Sequence, residues 1–301
     1  MSVGSAALVL VGANLAWSAS AAVAKVALED LTPPQLAFLR MALASLVLLP
    51  VSWRLAPAGI ARGDRTRAAV LGVLGFALSY GLEYGGIRLA RASNAAVFIA
   101  LEPLGIVLAA AVLLRERVSG LRVLATAVAL AGVALVSSGN DPAAGGPATL
   151  PVVAGNLLLL GAVACNVFYT IGAKPLLDRY PPLAFTAFSV AAGAAALAPA
   201  AAIDWLRGAG TLAPSRPALA AVLYLAFVST VLGYLLWNSV LVRFDASFLA
   251  LFLYVQPVSG VLVAWALVDE RPTGTFVAGA ALILAAVWLA TRGERKAGGG
   301  G

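Results

Sequence analysis

Residues 92–120 read ASNAAVFIALEPLGIVLAAAVLLRERVSG, and residues 246–274, 154 positions later, read ASFLALFLYVQPVSGVLVAWALVDERPTG. Aligned without a gap, the two stretches share residue types at positions 92, 93, 96, 98, 103, 107, 108, 110, 113, 116, 117 and 120 of the first copy. The chain therefore contains an internal repeat. Each copy is apolar but is interrupted by a polar residue and a proline, Glu102-Pro103 and Gln256-Pro257. Matched interruptions of this kind indicate a binding site inside a membrane bundle.

The composition places the chain in lipid. Hydrophobic residues make up 62% and charged residues only 11% of the 301 residues, whereas a soluble domain is about 45–50% apolar and about 25% charged. The net charge of +7 resides in short loops between apolar runs, so it indicates membrane topology rather than nucleic-acid binding. A single cysteine, Cys165, and no histidine exclude a disulfide framework and the commonest metal ligands.

The apolar runs predict an all-α integral membrane protein, because a spanning helix needs about 20 mostly apolar residues. The uncharged start, Met1 to Ala24, indicates a first membrane helix rather than a cleaved signal. The ten predicted spans are residues 4–26, 33–53, 68–88, 94–114, 121–138, 151–172, 182–203, 217–241, 246–268 and 274–291.

The predicted spans divide into two units of five. Residues 1–138 form the first five-helix repeat, 139–150 a linker of low complexity, 151–291 the second five-helix repeat, and 292–301 a tail. Because five is odd, a second unit with the same fold enters the membrane from the opposite side, which makes the repeat inverted. Most of the lysine and arginine residues fall in inside loops when both termini are cytoplasmic; this count places Arg40 outside.

Glu102 is the first candidate functional residue, because a charge at the middle of a membrane helix costs about 2.5–3.5 kcal/mol on insertion scales. We expect it to face a cavity, pair with a cation or exchange a proton. Its repeat mate is Gln256, so a two-fold axis would place two polar groups opposite each other. The alternative is a packed helix contact in which Pro103 only kinks the helix.

Glu83 is the second intramembrane acid, and it could bind an amine or a proton, or be locally paired near Arg88. Tyr80 and its repeat mate Tyr234 lie at the same predicted depth, where aromatic walls and plain packing are both open. Asn14 on helix one and Asn166 on helix six each lie three residues before an aromatic residue. They could bond across helices or line a polar path. The candidate substrate-binding residues are Glu102, Glu83, Asn14, Trp17, Tyr80, Tyr84, Asn166, Tyr169, Trp237, Asn238, Tyr254 and Gln256.

The Glu-Arg dipeptides at 116–117 and 270–271 are interpreted as structural turns, since Ser119 and Thr273 follow them as N-caps of the next helices. Lys25, at a helix end, could attract a carboxylate or extend to the interface. The sequence contains no nucleophile elbow, phosphate loop, dinucleotide fingerprint or HExxH motif. We therefore expect neither an enzyme nor a metal or other cofactor.

The two repeated stretches, extended to ASNAAVFIALEPLGIVLAAAVLLRERVSGLRVLATAVALAGVALV and ASFLALFLYVQPVSGVLVAWALVDERPTGTFVAGAALILAAVWLA, resemble the drug/metabolite transporter superfamily, and within it the EamA family of ten-helix exporters. The early segments GANLAWSASAAVAKVAL and PPQLAFLRMALASLVLLP fit the same resemblance. The resemblance implies alternating access about a cavity between two repeats, and often export of amino acids or related compounds.

The resulting expectation is a secondary transporter, a probable exporter, of small organic metabolites in a bacterial inner membrane. Its expected partners are a small-molecule substrate and membrane lipid, with protons as a candidate coupling ion, no nucleic acid, and a monomer as the functional unit. Two alternatives stay open, namely a multidrug or lipophilic-cation exporter, which an acid among aromatic rings would suit, and a membrane structural or regulatory subunit that transports nothing.

Overall fold

The computed structural model describes residues 1–89, 101–138, 150–256, 258–259 and 274–298. These ranges consist of helices and connecting turns, and no strand occurs within them. Several predictions fall outside the described residues: the start of the first repeated stretch, the linker up to residue 149, Pro257, and the Glu270-Arg271 turn with Thr273.

The helices are numbered α1 to α10 in chain order. Six of them, α1, α2, α3, α6, α7 and α8, are long and apolar enough to cross a membrane. The described apolar parts of α4, α5, α9 and α10 are shorter, so the prediction of ten spans stays a prediction. The bounds are α1 Val3–Ala27, α2 Pro33–Leu55, α3 Arg62–Leu89, α4 Leu101–Leu113, α5 Gly120–Ser138, α6 Leu150–Leu177, α7 Pro182–Leu206, α8 Arg216–Leu241, α9 Ala246–Leu253 and α10 Gly274–Gly298.

Local sequence signals fix where the helices begin. The Thr32 side chain accepts a hydrogen bond from the Gln35 backbone N–H, and the Gln35 side chain accepts from the Thr32 backbone N–H, which is a capping box at the start of α2. The Ser215 side chain caps α8 in the same position. Prolines occupy the first turns of α2, α7 and α8, where a missing N–H costs nothing.

The helices pair as a two-fold relation between the repeats requires. Helices five apart in chain order are repeat mates, and three such pairs pack together, α2 with α7, α4 with α9, and α5 with α10. Another contact occurs twice, once in each related place: α1 packs on α8, and their respective mates, α6 and α3, also pack on each other. A two-fold contact has this property, since a contact between two elements implies the contact between their mates.

Burial follows the repeat residue by residue. Every buried position of α2, from Gln35 to Ser52, has a buried counterpart 149 residues later in α7, from Ala184 to Ala201. The offset between α3 and α8 is 154, and it pairs two buried tyrosines, Tyr80 with Tyr234. The two repeats therefore bury the same helix faces although few of the residues at these positions are identical.

Each repeat also carries a π-helical stretch at the same place, Val73–Leu78 in α3 and Tyr224–Leu232 in α8. The wider turn interrupts the α-helical hydrogen-bond ladder, and such turns are frequent at functional sites. Bare backbone lies beside each stretch, since a Cβ atom added at Gly75 would come within 2.5 Å of the Tyr169 ring and one at Gly233 within 2.5 Å of Trp17 Nε1. Because Gly75 and Gly233 have no Cβ atom, Tyr169 of α6 packs directly on the backbone of α3, and Trp17 of α1 packs directly on the backbone of α8.

Two groups of buried apolar residues hold the bundle together. The larger includes the aromatic residues around Phe76 and Tyr234 and spans both repeats. The smaller joins α5, α9 and α10 and contains Tyr254 and Ile283. Large apolar side chains such as Leu46 and Leu157 are exposed on the outside, as expected for a surface that faces lipid.

Candidate functional site

A buried arginine, Arg40 of α2, lies at the centre of the bundle with only 1% of its surface exposed. Its guanidinium donates to four hydroxyl groups on α3 and α8. The distances are 2.6 Å from Nε to Thr230 Oγ1, 2.7 Å from Nη1 to Tyr84 OH, 3.1 Å from Nη2 to Tyr80 OH and 2.8 Å from Nη2 to Ser229 Oγ. The guanidinium carbon also lies 3.9 Å from the centroid of the Tyr80 ring. We call Arg40 and these four partners the Arg40 cluster.

The π-helical stretch of α8 shapes the cluster. Thr230 donates its hydroxyl hydrogen to the Leu225 carbonyl five residues earlier, at 2.9 Å, which leaves its oxygen to accept from Arg40. The carbonyl of Ser229 accepts from Trp17 Nε1 of α1 at 2.7 Å, and its hydroxyl is 2.8 Å from that of Ser20. The wide turn therefore directs two consecutive hydroxyls at Arg40 and ties α1 to the same place.

Tyr80 and Tyr234 meet across the two repeats. Their hydroxyl oxygens are 2.8 Å apart, and both residues are buried. The sequence identified them as repeat mates, and their contact agrees with a two-fold axis that passes between α3 and α8. The Arg40 cluster is thus joined directly to the pair on this axis.

The two acids, Glu83 and Glu102, are half-buried. Glu83 lies on α3 between Tyr80 and Tyr84 and interacts electrostatically with Arg40. Glu102 interacts electrostatically with Glu83 and accepts a long hydrogen bond, 3.5 Å, from Asn166 Nδ2 of α6. One buried cation and two acids therefore share the interior of the bundle.

A side-chain contact between helices occurs at the corresponding place in each repeat, between an amide and an acid in one and between two amides in the other. Asn166 joins Glu102 and also accepts from Ser79 Oγ at 2.8 Å. In the mate position, Gln256 Nε2 donates to Asn14 Oδ1 at 3.0 Å. Both asparagines thus bond to a neighbouring helical segment, one in each repeat.

Aromatic rings form a continuous layer beside the cluster. Trp17 lies 5.2 Å from Tyr234 and 5.6 Å from Trp237 between ring centroids, and Phe76 lies 4.7 Å from Tyr234. Tyr169 continues the layer at 5.9 Å from Tyr234. Edge and tilted geometries of this kind are favourable contacts between rings.

Asn238 anchors the far side of this layer. Its Nδ2 donates to Tyr169 OH at 3.2 Å and to Thr186 Oγ1 of α7 at 2.9 Å. Tyr84, the residue at the corresponding position of the first repeat, contacts Arg40 instead. The structure thus brings together most of the twelve candidate substrate-binding residues. Asn14 and Gln256 bond to each other, whereas Tyr254 lies in the smaller core group, and its hydroxyl has no hydrogen-bond partner among the described residues.

Arg40 is the residue that sequence reasoning missed. The prediction counted it among the charges outside the membrane, and this is wrong because Arg40 is eight residues into α2 and points inward. Its available signal is its position in the apolar run LAFLRMALASL, where an arginine needs internal partners. Lys25, by contrast, is exposed.

The Glu-Arg turn after α4 is structural, as predicted from the sequence. The Glu116 carboxylate accepts from the backbone N–H groups of Ala246 and Ser247 at 2.9 and 3.1 Å, and from Ser247 Oγ at 2.6 Å. It therefore caps the start of α9 in the other repeat. Arg122 reinforces this corner with an ion pair to Asp245 at 2.9 Å, and the Arg122 N–H bonds to Ser119 Oγ as expected of an N-cap.

Two further corners join the repeats outside the spans. Asp30 accepts from the Ser215 backbone N–H at 2.7 Å, and this hydrogen bonding holds the Asp30 pKa below its ordinary value. At the related corner, Tyr180 donates to the Asp64 carboxylate at 2.7 Å, which raises the Tyr180 pKa. The described residues contain no cluster of acids and cysteine that could hold a metal ion.

Apolar spans around a buried polar cluster define a multi-pass membrane protein. The profile of the EamA-like transporter family matches residues 4–138 and 153–292, so the chain belongs to this family, which is part of the drug/metabolite transporter superfamily. The family assigns the chain to transporters rather than to enzymes.

The relatives agree with this class. An uncharacterized transporter of Archaeoglobus fulgidus is 26% identical over 96% of this chain and 98% of its own length. A protein named a probable terminal-alkyne amino-acid exporter, from Streptantibioticus cattleyicolor, is 28% identical over 92% of this chain and 90% of its own. A probable amino-acid metabolite efflux pump of Salmonella typhimurium is 40% identical over 25% of each chain.

The fold is also similar to one that is known experimentally. A protein of known crystal structure superposes on the chain with a TM-score of 0.80. It is 23% identical, and the superposition covers 97% of this chain and 98% of the other. At this identity the likeness concerns the fold alone.

Proposed function

We propose that the protein is a secondary exporter of amino acids or related small compounds across a bacterial inner membrane, by alternating access between its two repeats. The observation that supports this most is the set of polar contacts at the interface between the repeats, where Tyr80 meets Tyr234 at 2.8 Å beside the Arg40 cluster. A membrane bundle places such groups inside only where they pair or serve a path. The names of two relatives support amino acids as the class of substrate.

The proposed architecture has ten membrane helices in two inverted repeats, residues 1–138 and 151–291, with both termini cytoplasmic. In support, the described mate helices pack as a two-fold relation requires. The repeats would rock about the centre as a monomer, and the interface contacts would break and re-form on either side of the axis. Residues 139–150 would link the repeats, and 292–301 would form the cytoplasmic tail.

The acids and rings have different proposed roles. Glu102 and Glu83, both half-buried, would attract an ammonium group or carry a proton. The aromatic layer, including Trp17, Tyr169 and Trp237, would form the apolar wall. Asn14 with Gln256, and Asn166 with Glu102, would hold α1 on α9 and α6 on α4 at the edges of the site.

Counterflow in proteoliposomes tests the proposal. Purified protein is loaded with a panel of unlabelled amino acids, nucleobases and vitamins, and labelled counterparts are added outside. We expect uptake driven by amino acids. If folded protein shows no counterflow across this panel, labelled lipophilic cations are tested next: their uptake would support the multidrug alternative, and no uptake would support a non-transporting role.

The Glu102→Gln variant tests the proton role. It keeps the shape of the side chain and removes its titration, so we expect counterflow to lose its dependence on pH while folded protein is retained. The matched control is Glu29→Gln, the same change at an exposed position in the turn after α1. An unaltered pH profile in Glu102→Gln would remove Glu102 from the mechanism.

A further inference from the structure

We infer that the Arg40 cluster is a binding site for the carboxylate of the transported molecule. This inference rests on the proposed function, which names amino acids but does not say which protein group recognises which end of them. Three observations support it: the unused hydrogens of the cluster, the fixed charge of Arg40, and the half-buried acids that lie beside it.

Counting hydrogens shows what the cluster lacks. An arginine side chain only donates hydrogen bonds, so Tyr84, at 2.7 Å from Arg40, must accept and still has its own hydroxyl hydrogen to donate. Tyr80 also accepts from Arg40 and shares one hydrogen with Tyr234. Whichever of the two tyrosines donates to the other, the pair retains one hydrogen for a group outside it.

The hydrogen-bonded pair of Ser229 and Ser20 also has one hydroxyl hydrogen left to donate. Ser229 accepts from Arg40 at 2.8 Å and shares one hydrogen with Ser20, so one of their two hydroxyl hydrogens is left over. Thr230 differs because its hydrogen is used by the Leu225 carbonyl. The structure gives no acceptor for the three remaining hydrogens among the residues that it describes. Ser20 is half-buried, but Tyr84 and the Tyr80–Tyr234 pair are buried, and buried donors normally have an acceptor.

The charge of the cluster defines the missing acceptor. All four hydrogen-bond partners of Arg40 are hydroxyls rather than carboxylates, and an arginine stays protonated in proteins. A positive charge surrounded by surplus O–H donors suits an oxyanion, which accepts hydrogen bonds only. A carboxylate fits this set, whereas a lipophilic cation would meet like charge.

The nearby acids complete the recognition of an amino acid. Glu83 follows Tyr80 by three residues on α3 and is half-buried. Glu102 interacts electrostatically with Glu83. A carboxylate at the Arg40 cluster would leave the ammonium group of an α-amino acid facing these acids.

Competition in counterflow tests the carboxylate site with defined probes. Labelled L-leucine and L-phenylalanine are the reporters, and the competitors are their decarboxylated amines, isoamylamine and phenethylamine, and their deaminated acids, 4-methylpentanoate and 3-phenylpropanoate. We expect both acids to compete, and both amines to compete at least about ten-fold more weakly than the amino acids, since a hydrogen-bonded charge contributes about that much. Amines that compete as well as the amino acids would overturn the inference.

Hydroxyl removal locates the site. The double variant Tyr80→Phe/Tyr234→Phe keeps both rings and removes the surplus hydrogen, so we expect the half-saturation concentration for L-leucine to rise about ten-fold or more. Arg40→Lys keeps the charge but not the planar fork, and the same direction is expected. Tyr180→Phe is the matched control, because its hydroxyl is also hydrogen-bonded but lies in a turn outside the spans. Elution as a single folded species qualifies each variant.

The two proposals fail in different ways. If neither amino acid drives counterflow but the deaminated acids do, the amino-acid assignment falls and the carboxylate site stands. If the amino acids are carried and the tyrosine double variant behaves like Tyr180→Phe, the carboxylate site falls and the amino-acid assignment stands.

Discussion

The two repeats bury the same helix faces but contribute different chemistry to the centre. The first repeat supplies three charged side chains, Arg40, Glu83 and Glu102. The corresponding positions of the second repeat, at offsets of 149 and 154, hold Ser189, Trp237 and Gln256. The shape of the bundle is therefore two-fold while its electrostatics are one-sided.

This asymmetry separates two functions that a repeat protein must combine. Shared burial lets each repeat pack on the other in related arrangements, as alternating access requires. On the proposed function, a single set of charges would hold a molecule with unlike ends in one direction only. Substitutions that make one repeat resemble the other therefore test each function by itself.

The largest effect is expected from Arg40→Ser, which gives the first repeat the residue of the second. The variant loses a guanidinium that donates to four hydroxyls at once, so we expect counterflow to fall at least about 100-fold, the equivalent of one or two charged hydrogen bonds. Ser189→Ala is the control, since it alters the mate position without touching a charge. Equal rates in the two variants would show that the asymmetry has no role in transport.

The glycine contacts test whether the symmetry of shape is needed. We expect Gly75→Ala and Gly233→Ala each to lower the free energy of unfolding by about 1–3 kcal/mol, because the added methyl group would overlap Tyr169 or Trp17. Gly233→Ala should cost more, since Trp17 is also fixed by its bond to the Ser229 carbonyl. Thermal unfolding in detergent measures both.

Gly81 is the matched control for these substitutions, because it lies in the same helix as Gly75 and a Cβ there meets nothing within 4 Å. Gly81→Ala should be neutral or stabilising by up to about 1 kcal/mol, the usual gain of alanine over glycine in a helix. A loss of stability at Gly81 as large as at Gly75 would mean that close approach is not the cause.

The smallest effect is expected at the corner of Asp30, one of the two related corners outside the spans. Its pKa is lower in the folded protein, so its contribution to stability is present above the ordinary carboxyl pKa of about 3.9 and is lost as the pH falls through the folded value. Thermal unfolding should therefore show a small extra loss below about pH 4 that Asp30→Asn lacks. Parallel curves for both proteins would contradict the assignment.

The sequence predicted what the repeat controls. The pairing of Tyr80 with Tyr234 and of Glu102 with Gln256 as mates follows from aligned apolar runs. The two asparagines contact these mates at corresponding places, although Asn166 donates to Glu102 and Asn14 accepts from Gln256. The structural role of Glu116 follows from its place before an N-cap. Periodicity and repetition determine helix faces, and these features depend on helix faces alone.

The remaining features depend on distant partners. The count that places Arg40 outside the membrane cannot take account of partners elsewhere in the chain, and the burial of Arg40 depends on the hydroxyls of α3 and α8. The sequence also does not distinguish Tyr254 from Tyr234, because both tyrosines lie in apolar runs. Only the packing of the helices places them in different core groups. The π-helical stretches contain no proline to signal them.

Those stretches also keep α3 and α8 in register with each other. A π-helical turn, closed by a bond from residue i to i+5, holds one residue more than an α-helical turn. Val73–Leu78 lies within the part of α3 that corresponds to Tyr224–Leu232 in α8, so both copies carry the extra residue at one site. The offset of 154 therefore holds on both sides of the wider turn, from the buried pair Ala68 and Val222 before it to the buried pair Tyr80 and Tyr234 after it.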